Sequence, residues 1–294
     1  MLAHEVLTMT FVVAGVSGNT GSVVADTLLR RHENVRVVVR EAAHAASWAA
    51  RGAEVAIADL GDAEALARAL RGASGAYLLI PPSLTAPKLR AFQTRLARSF
   101  AAAAAESGIG HVVFLSAFAA HRERGSGPLA GLGEAEKLLA AVPGLRVSSI
   151  RAGYFYENIK PVVDVVKTAG VLPSFFPAEL PVPMVATRDI GLLAADLLLD
   201  STTQGIVELG AGLTYAEIAR AFGTMMGKAV RVDEIAVDAI APTVAGFGFN
   251  ADLTLAYVEL ITGIRSGALA FEGEHRRVEP STSLDAVFRS CITG

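Results

Sequence analysis

The sequence predicts a doubly wound parallel α/β sheet with a smaller substrate lobe toward the C-terminus. Three observations predict it. Apolar, β-branched runs alternate with helical segments through the first half of the chain, as successive β-α-β units require. Most of those runs are continuous rather than alternating, so both sheet faces are covered. The first run, Phe11-Val12-Val13-Ala14, opens into a glycine-rich turn and then into Val23, Val24, Leu28 and Leu29 at helical spacing.

The turn reads Gly15-Val16-Ser17-Gly18-Asn19-Thr20-Gly21. Between a strand and a helix, such a turn aims backbone N–H groups at a pyrophosphate, with glycines permitting close approach and the helix dipole favouring the anion. Its G-x-x-G-x-x-G spacing also suits an ordinary strand-to-helix turn, so the context decides. That context is a second apolar run, Val35 to Val39, about twenty residues on, which completes a β-α-β unit. Dinucleotide binding is therefore expected of Gly15, Ser17, Gly18, Asn19, Thr20 and Gly21.

Strand-like runs follow at Val35 to Arg40, Glu54 to Ala58, Gly75 to Ile80, His111 to Leu115 and Arg146 to Ile150. Between them, Asp62 to Leu70 places Ala65, Leu66, Ala69 and Leu70 on one helical face, and Lys88 to Ala105 repeats Leu89, Phe92, Leu96 and Phe100. This is a Rossmann-type pattern. Beyond Arg151 the rhythm is broken by Pro161, Pro173, Pro177, Pro181 and Pro183. Residues 1–8 read as a short tail and 9–160 as the dinucleotide-binding domain. Residues 184–210 return to its sheet through Met184 to Ala186, the helix Asp189 to Leu199 and the strand Ile206 to Leu209. The segments 161–183 and 211–294 form the substrate lobe, in which Thr214-Tyr215-Ala216-Glu217 is a capping box opening a helix.

Composition narrows the function. The 294 residues carry a net charge of −3 with no basic run, which argues against direct nucleic-acid binding. The lone Cys291 forms no internal disulfide and has no metal-ligand spacing, so no metal is expected. No apolar stretch reaches membrane-spanning length free of charge, Gly or Pro, and His4 and Glu5 stand where a signal peptide needs an apolar core. A cytoplasmic protein acting on a small-molecule acceptor is the expectation.

Arg40 ends the second strand, where an NAD-selective site usually has an acidic residue for the ribose hydroxyls. A guanidinium there favours the 2′-phosphate of NADP(H), a charge-assisted contact of about 1.5–3 kcal/mol, or roughly ten- to a hundredfold. A solvated strand-end arginine fits the same residue, and Glu41 leaves NAD(H) possible. Asp59 and Leu60, after the third strand, are placed to flank the adenine, and Ile80, Pro81 and Pro82 to border the central ribose; a capping aspartate and a Pro-Pro turn are the alternative, and position at strand C-termini supports the functional reading. Ser116 ends the fifth strand beside the expected nicotinamide. The one Tyr-x-x-x-Lys spacing, Tyr156 to Lys160, falls after the sixth strand rather than on the preceding helix, and reads as coincidence.

Several segments together resemble the NmrA-like family, an atypical short-chain dehydrogenase group, over most of residues 9–235. They are the glycine turn, Arg40, Ala58-Asp59-Leu60, His111 to Ser116, Glu134 to Leu139, Arg151 to Asn158 and Leu213 to Ala219. Arg151 to Asn158 is similar to the family's R-x-G-x-F-x-E-N signature, which closes over the nicotinamide end. The resemblance makes Tyr154 and Asn158 the catalytic candidates and adds Phe155 to the cofactor-binding set. Some family members carry His or Lys where this chain has Leu132, a residue that cannot donate a proton. The family includes NADPH-dependent quinone reductases, azo-dye reductases and dinucleotide-binding redox sensors.

Two functions follow as expectations. One is transfer of hydride from NADPH to a flat acceptor such as a quinone or azo compound, with Tyr154, Phe155, Tyr156, Phe175, Phe176, Phe247 and Phe249 available to line an apolar pocket, although ordinary core packing accounts for more than half of them. The other is a non-catalytic NADP(H) sensor regulating a partner protein. Quinone reduction tolerates Leu132 better than carbonyl chemistry does, because a quinone can take its proton from water.

Overall fold

A computed structural model describes residues 9–200 and 202–293; the expected tail at 1–8 lies outside the described residues. The first half alternates strictly: β1 (Thr10–Ala14), α1 (Asn19–Arg30), β2 (Asn34–Val39), α2 (Ala45–Ala49), β3 (Glu54–Ile57), α3 (Ala63–Leu70), β4 (Gly75–Leu79), α4 (Leu89–Ser107), β5 (His111–Ala117), α5 (Ala130–Ala140) and β6 (Arg146–Ala152). The second half runs β7 (Tyr154–Phe155), a 3-10 segment (Tyr156–Val162), α6 (Val163–Ala169), β8 (Val171–Ser174), β9 (Val182–Val185), α7 (Thr187–Leu199) and β10 (Gly205–Leu209). It continues with β11 (Ala211–Leu213), α8 (Tyr215–Met226), β12 (Arg231–Glu234), α9 (Ile240–Ala245), α10 (Ala251–Arg265), β13 (Arg276–Val278) and α11 (Leu284–Thr293).

Eight strands form the central sheet in the order β13-β10-β6-β5-β4-β1-β2-β3, every neighbouring pair parallel. The strand order reverses between β1 and β4, and in such a sheet the ligand crevice lies beyond the C-terminal ends of the strands at that point. The continuous apolar runs are explained by what covers them. On one face α1 and α7 bury Val24, Leu28, Ile190, Ala194 and Leu198 against Phe11, Val13, Val37 and Val113. On the other, α3, α4 and α5 bury Leu66, Leu70, Leu96, Phe100 and Leu139 against Val12, Leu78, Val112 and Phe114. A separate cluster, including Phe176, Ile218, Phe222, Val244, Ile261 and Phe288, is the core of the lobe.

One sheet assignment differs from expectation. Met184 to Ala186 does not return to the central sheet; Val182–Val185 pairs with β7 and β11 in a separate three-stranded sheet. The cause lies at Gly153, where the chain leaves β6 and passes so near β9 that a Cβ would stand 2.7 Å from the Pro183 carbonyl oxygen. That approach brings Tyr154 and Phe155 into register with Met184 and Val185. The expected return is made by β10, and β13, from the segment assigned to the lobe, joins it as an edge strand.

His111 begins β5 at the edge remote from the crevice. Its Nε2 meets the Ser148 hydroxyl at 3.0 Å, that hydroxyl donates to the Thr203 carbonyl at 2.9 Å, and Nδ1 is buried with no partner. Burial pushes its pKa from 6.5 down to about 4, with Arg146 adding to the shift and Asp200 opposing it. The folded protein thus binds the proton less readily than the unfolded chain. The stabilisation is complete above pH 6.5 and is lost as the pH falls toward 4. Between pH 7.5 and pH 5 the loss is about 2 kcal/mol. Urea unfolding at the two pH values is expected to show it, and His111→Gln to remove most of the difference; an unchanged difference in that variant would assign the effect elsewhere.

Candidate active site

The glycine turn sits at the crevice. Gly15 has φ +68, and a Cβ there would stand 2.5 Å from the Leu79 side chain, so glycine is demanded by both conformation and space. The Gly18 N–H donates to the Gly15 carbonyl at 2.9 Å, and Gly18 caps α1 without a side-chain acceptor. No acidic residue occupies the first turn, which leaves α1 with amide donors that an anion can accept from. A Cβ on Gly21 would stand 2.5 Å from the Ala14 and Gly15 carbonyl oxygens, so this helix lies against the strand end only with glycine there. Ser17, Gly18 and Asn19 are exposed, whereas the hydroxyl of buried Thr20 turns inward to accept from the Tyr77 phenol at 2.9 Å.

The other expected cofactor residues fall into two sets. Arg40 is exposed just beyond β2 with no hydrogen bond or ion pair among the described residues. Ile80 and Pro81 are half-buried and Pro82 is exposed, directly after β4. Ser116 is 3% exposed, and its hydroxyl lacks a partner at the C-terminal end of β5. An unmade hydrogen bond of this kind costs about 1–3 kcal/mol unless a ligand or water completes it. Asp59 and Leu60 are engaged structurally: Asp59 accepts from the Gly61 amide at 2.6 Å, and Leu60 is buried in the core beneath the sheet.

The signature segment is held by contacts to several other elements. Arg151 makes a two-pronged ion pair with Glu136, at 3.0 and 2.7 Å, and a further one with Glu272, which His275 contacts at 3.0 Å. The Gly153 N–H donates to the Leu209 carbonyl at 2.9 Å. The Glu157 carboxylate accepts from the Thr187 amide at 3.1 Å and hydroxyl at 2.7 Å, capping α7. Phe155 is half-buried against the α1–α7 side of the sheet, and Asn158 is exposed. Half-buried Tyr154 meets Phe176 edge-on at 5.8 Å. Burial, with Tyr257 nearby, pushes its phenol up to about 12, and the Asn158 side chain opposes the shift. Tyr156 is buried while Lys160 is exposed, so they form no catalytic dyad.

The lobe aromatics divide in the same way. Phe176 and Tyr156 belong to its core. Phe175, exposed Phe247, Phe249 and Tyr257 form a chain of rings with centroid separations of 6.2, 5.8 and 5.0 Å. Tyr215, 6% exposed, lies 5.7 Å from Phe176. Tyr215 and Tyr257 were not singled out by sequence; one lies inside the capping box and the other on an ordinary helix face. Leu132 is half-buried against the sheet-side core. Among the described residues no group of three or more His, Cys, Asp or Glu is placed to hold a metal, and no helix is long and apolar enough to cross a membrane.

Comparison with known proteins gives a consistent family. The model of the NmrA-like family matches residues 8–286. An NAD(P)H azoreductase of Xenophilus azovorans is 25% identical over 252 residues, 84% of this chain and 85% of that one. A (4-alkanoyl-5-oxo-2,5-dihydrofuran-3-yl)methyl phosphate reductase of Streptomyces griseus is 25% identical over 261 residues, 88% of each chain. Among solved structures, the Escherichia coli NADPH-dependent quinone oxidoreductase complexed with NADPH has a TM-score of 0.74 at 21% identity, covering 97% of this chain and 100% of that one. Citrobacter triphenylmethane reductase has 0.75 at 18%, covering 97% and 95%. A nucleoside-diphosphate-sugar epimerase from Staphylococcus aureus has 0.77 at 17%, covering 96% and 100%. At these identities the solved structures show a shared fold. The family match spans the glycine turn, the Arg151 to Asn158 signature and most of the lobe, and on it the chain belongs to the NmrA-like family.

Proposed function

We propose that this chain is an NAD(P)H-dependent reductase that prefers NADPH and passes hydride to a flat, electron-poor acceptor such as a quinone or azo compound. The observation that carries the reading is the uncapped N-terminus of α1 at the crevice, with unpaired Arg40 at the end of the neighbouring strand. A pyrophosphate and a 2′-phosphate fit that pair of features. The reductases among the curated relatives support the same kind of chemistry. A cytoplasmic setting belongs to this reading, as does a small molecule rather than a nucleic acid as ligand.

The residues fit a dinucleotide, whose nicotinamide supplies the hydride when bound. The glycine turn binds the pyrophosphate through backbone N–H groups, and Arg40 selects the phosphorylated ribose. Ile80, Pro81 and Pro82 border the path to the nicotinamide end, where the partnerless Ser116 hydroxyl offers a hydrogen bond. Tyr154, Phe155 and Asn158 cover that end and orient the acceptor beside it. Leu132 supplies no proton, which suits an acceptor protonated by water and places the weight of catalysis on proximity and stacking. Leu132 also favours a second reading, a dinucleotide-binding redox sensor that regulates a partner protein.

Fluorescence titration with NADPH and NADH, followed by menadione and an azo dye while absorbance at 340 nm is recorded, separates the readings. Acceptor-dependent NADPH oxidation supports the reductase; tight binding without turnover across a quinone and azo panel supports the sensor; no binding refutes both. Arg40→Ala is expected to weaken NADPH binding about 10- to 100-fold while leaving NADH within about twofold. A parallel loss for both dinucleotides would remove Arg40 from the 2′-phosphate. With its phenol raised to about 12, Tyr154 stays protonated over the working range. The pH profile of kcat/KM for Tyr154→Phe is therefore expected to keep the wild-type shape between about pH 6 and 10 at a lower level. An alkaline limb that disappears in the variant would instead make Tyr154 a proton carrier.

A further inference from the structure

We infer that the Tyr215 and Tyr257 hydroxyls are hydrogen-bond donors to an oxygen of the acceptor, so that the site favours quinones and other carbonyl-bearing acceptors over azo compounds. The inference rests on the reductase reading and deepens it.

Three phenols approach one aromatic region from three elements. Tyr154 comes from β7, Tyr215 from the start of α8 and Tyr257 from α10. Phe176, 1% exposed, is the wedge between the first two, 5.8 Å from the Tyr154 ring and 5.7 Å from that of Tyr215. Phe249 backs Tyr257 at 5.0 Å. Tyr215 lies in the lobe's apolar cluster, and Tyr154 and Tyr257 pack against that same cluster. The ring of Tyr215 is fixed at its base by the reciprocal cap between Thr214 and Glu217.

Neither the Tyr215 nor the Tyr257 hydroxyl has a hydrogen-bond partner among the described residues. A buried phenol usually finds one, and Tyr77 in this same chain does, at 2.9 Å to Thr20. Tyr215 keeps 6% of its surface exposed, so its buried ring is not wholly sealed from solvent. Burial raises the pKa of both phenols, which keeps them protonated and able to donate.

Donors of this kind act where charge develops. As hydride adds to a quinone, negative charge accumulates on its oxygen, and fixed O–H groups stabilise it. The balance is complete without a protein acid. NADPH loses a hydride to become NADP⁺, the quinone gains that hydride and one proton from water to become the hydroquinone, and both tyrosines keep their protons. Leu132 then needs no replacement. An azo nitrogen is a poorer hydrogen-bond acceptor than a carbonyl oxygen and benefits less from the same donors.

The test uses Tyr215→Phe, Tyr257→Phe and the double variant, each losing only a hydroxyl. Menadione is titrated into the NADP⁺ complex, where no reduction occurs, and kcat/KM is measured with NADPH for menadione and for an azo dye. Each single variant is expected to raise the menadione Kd about 5- to 10-fold and the double variant further, with NADPH affinity and thermal midpoint unchanged. Menadione kcat/KM should fall about 10-fold or more while the azo dye changes less than about twofold. Unchanged menadione binding and turnover, or equal losses on both acceptors, would overturn the donor assignment while leaving the reductase reading standing. A wild-type protein that binds NADPH but reduces neither acceptor would overturn both.

Discussion

Arg151 stands between two carboxylates at the end of β6, with its own side chain and that of Glu136 almost fully removed from water. Isolated charges in that position would be untenable, so the pair forces α5, β6 and the Glu272 loop into one mutual arrangement. Everything on the lobe side follows from where that arrangement leaves the chain. Two residues on, Gly153 passes β9 at backbone distance, and Tyr154 and Phe155 pair with Met184 and Val185. Four residues further, Glu157 clamps the start of α7. The same ion cluster holds the loop that leads to β13 and so joins the central sheet to the lobe, as Lys88 does at the start of α4 through Asp252 of α10.

The site built on this joint has halves of different character. Its dinucleotide half is local and rigid: a strand end, a turn and the first coil of α1, braced from below by the Tyr77 phenol on Thr20. The acceptor half proposed above draws Tyr154 from β7, Tyr215 from α8 and Tyr257 from α10, elements that meet only in the lobe. One half is set by a dozen consecutive residues. The other depends on packing between segments far apart in sequence, where a change in any one alters the shape offered to an acceptor.

That difference explains what was legible. The central strands, the glycine turn and the capping box could be read because their determinants are neighbours in sequence: apolar runs, glycines at a close approach, and Thr214 three residues from Glu217. The Arg151 to Asn158 segment was recognisable only by resemblance, and the duties of its members were hidden, since Glu136, Glu272, Pro183 and Thr187 lie on other elements. Met184 was read into the wrong sheet because its apolar pattern suits either one, and only the Gly153 contact decides between them. Leu60, expected beside the adenine, buries its side chain in the core under α3 and α4, a contact no local pattern announces. Tyr215 and Tyr257 carried no local signal at all.

The edge strand β13 has a further consequence, for the order in which the molecule is built. It is the last strand of the chain, yet it pairs with β10 in the sheet that the first strand began, so the lobe is an excursion between two visits to one scaffold. During synthesis β10 emerges with one side unpaired and keeps it so while some sixty residues of lobe are added. Such an open edge is a template for another chain, and parallel pairing over so long a separation is slow. The molecule is therefore most exposed to misassociation late in its production, at the border farthest from the cofactor turn.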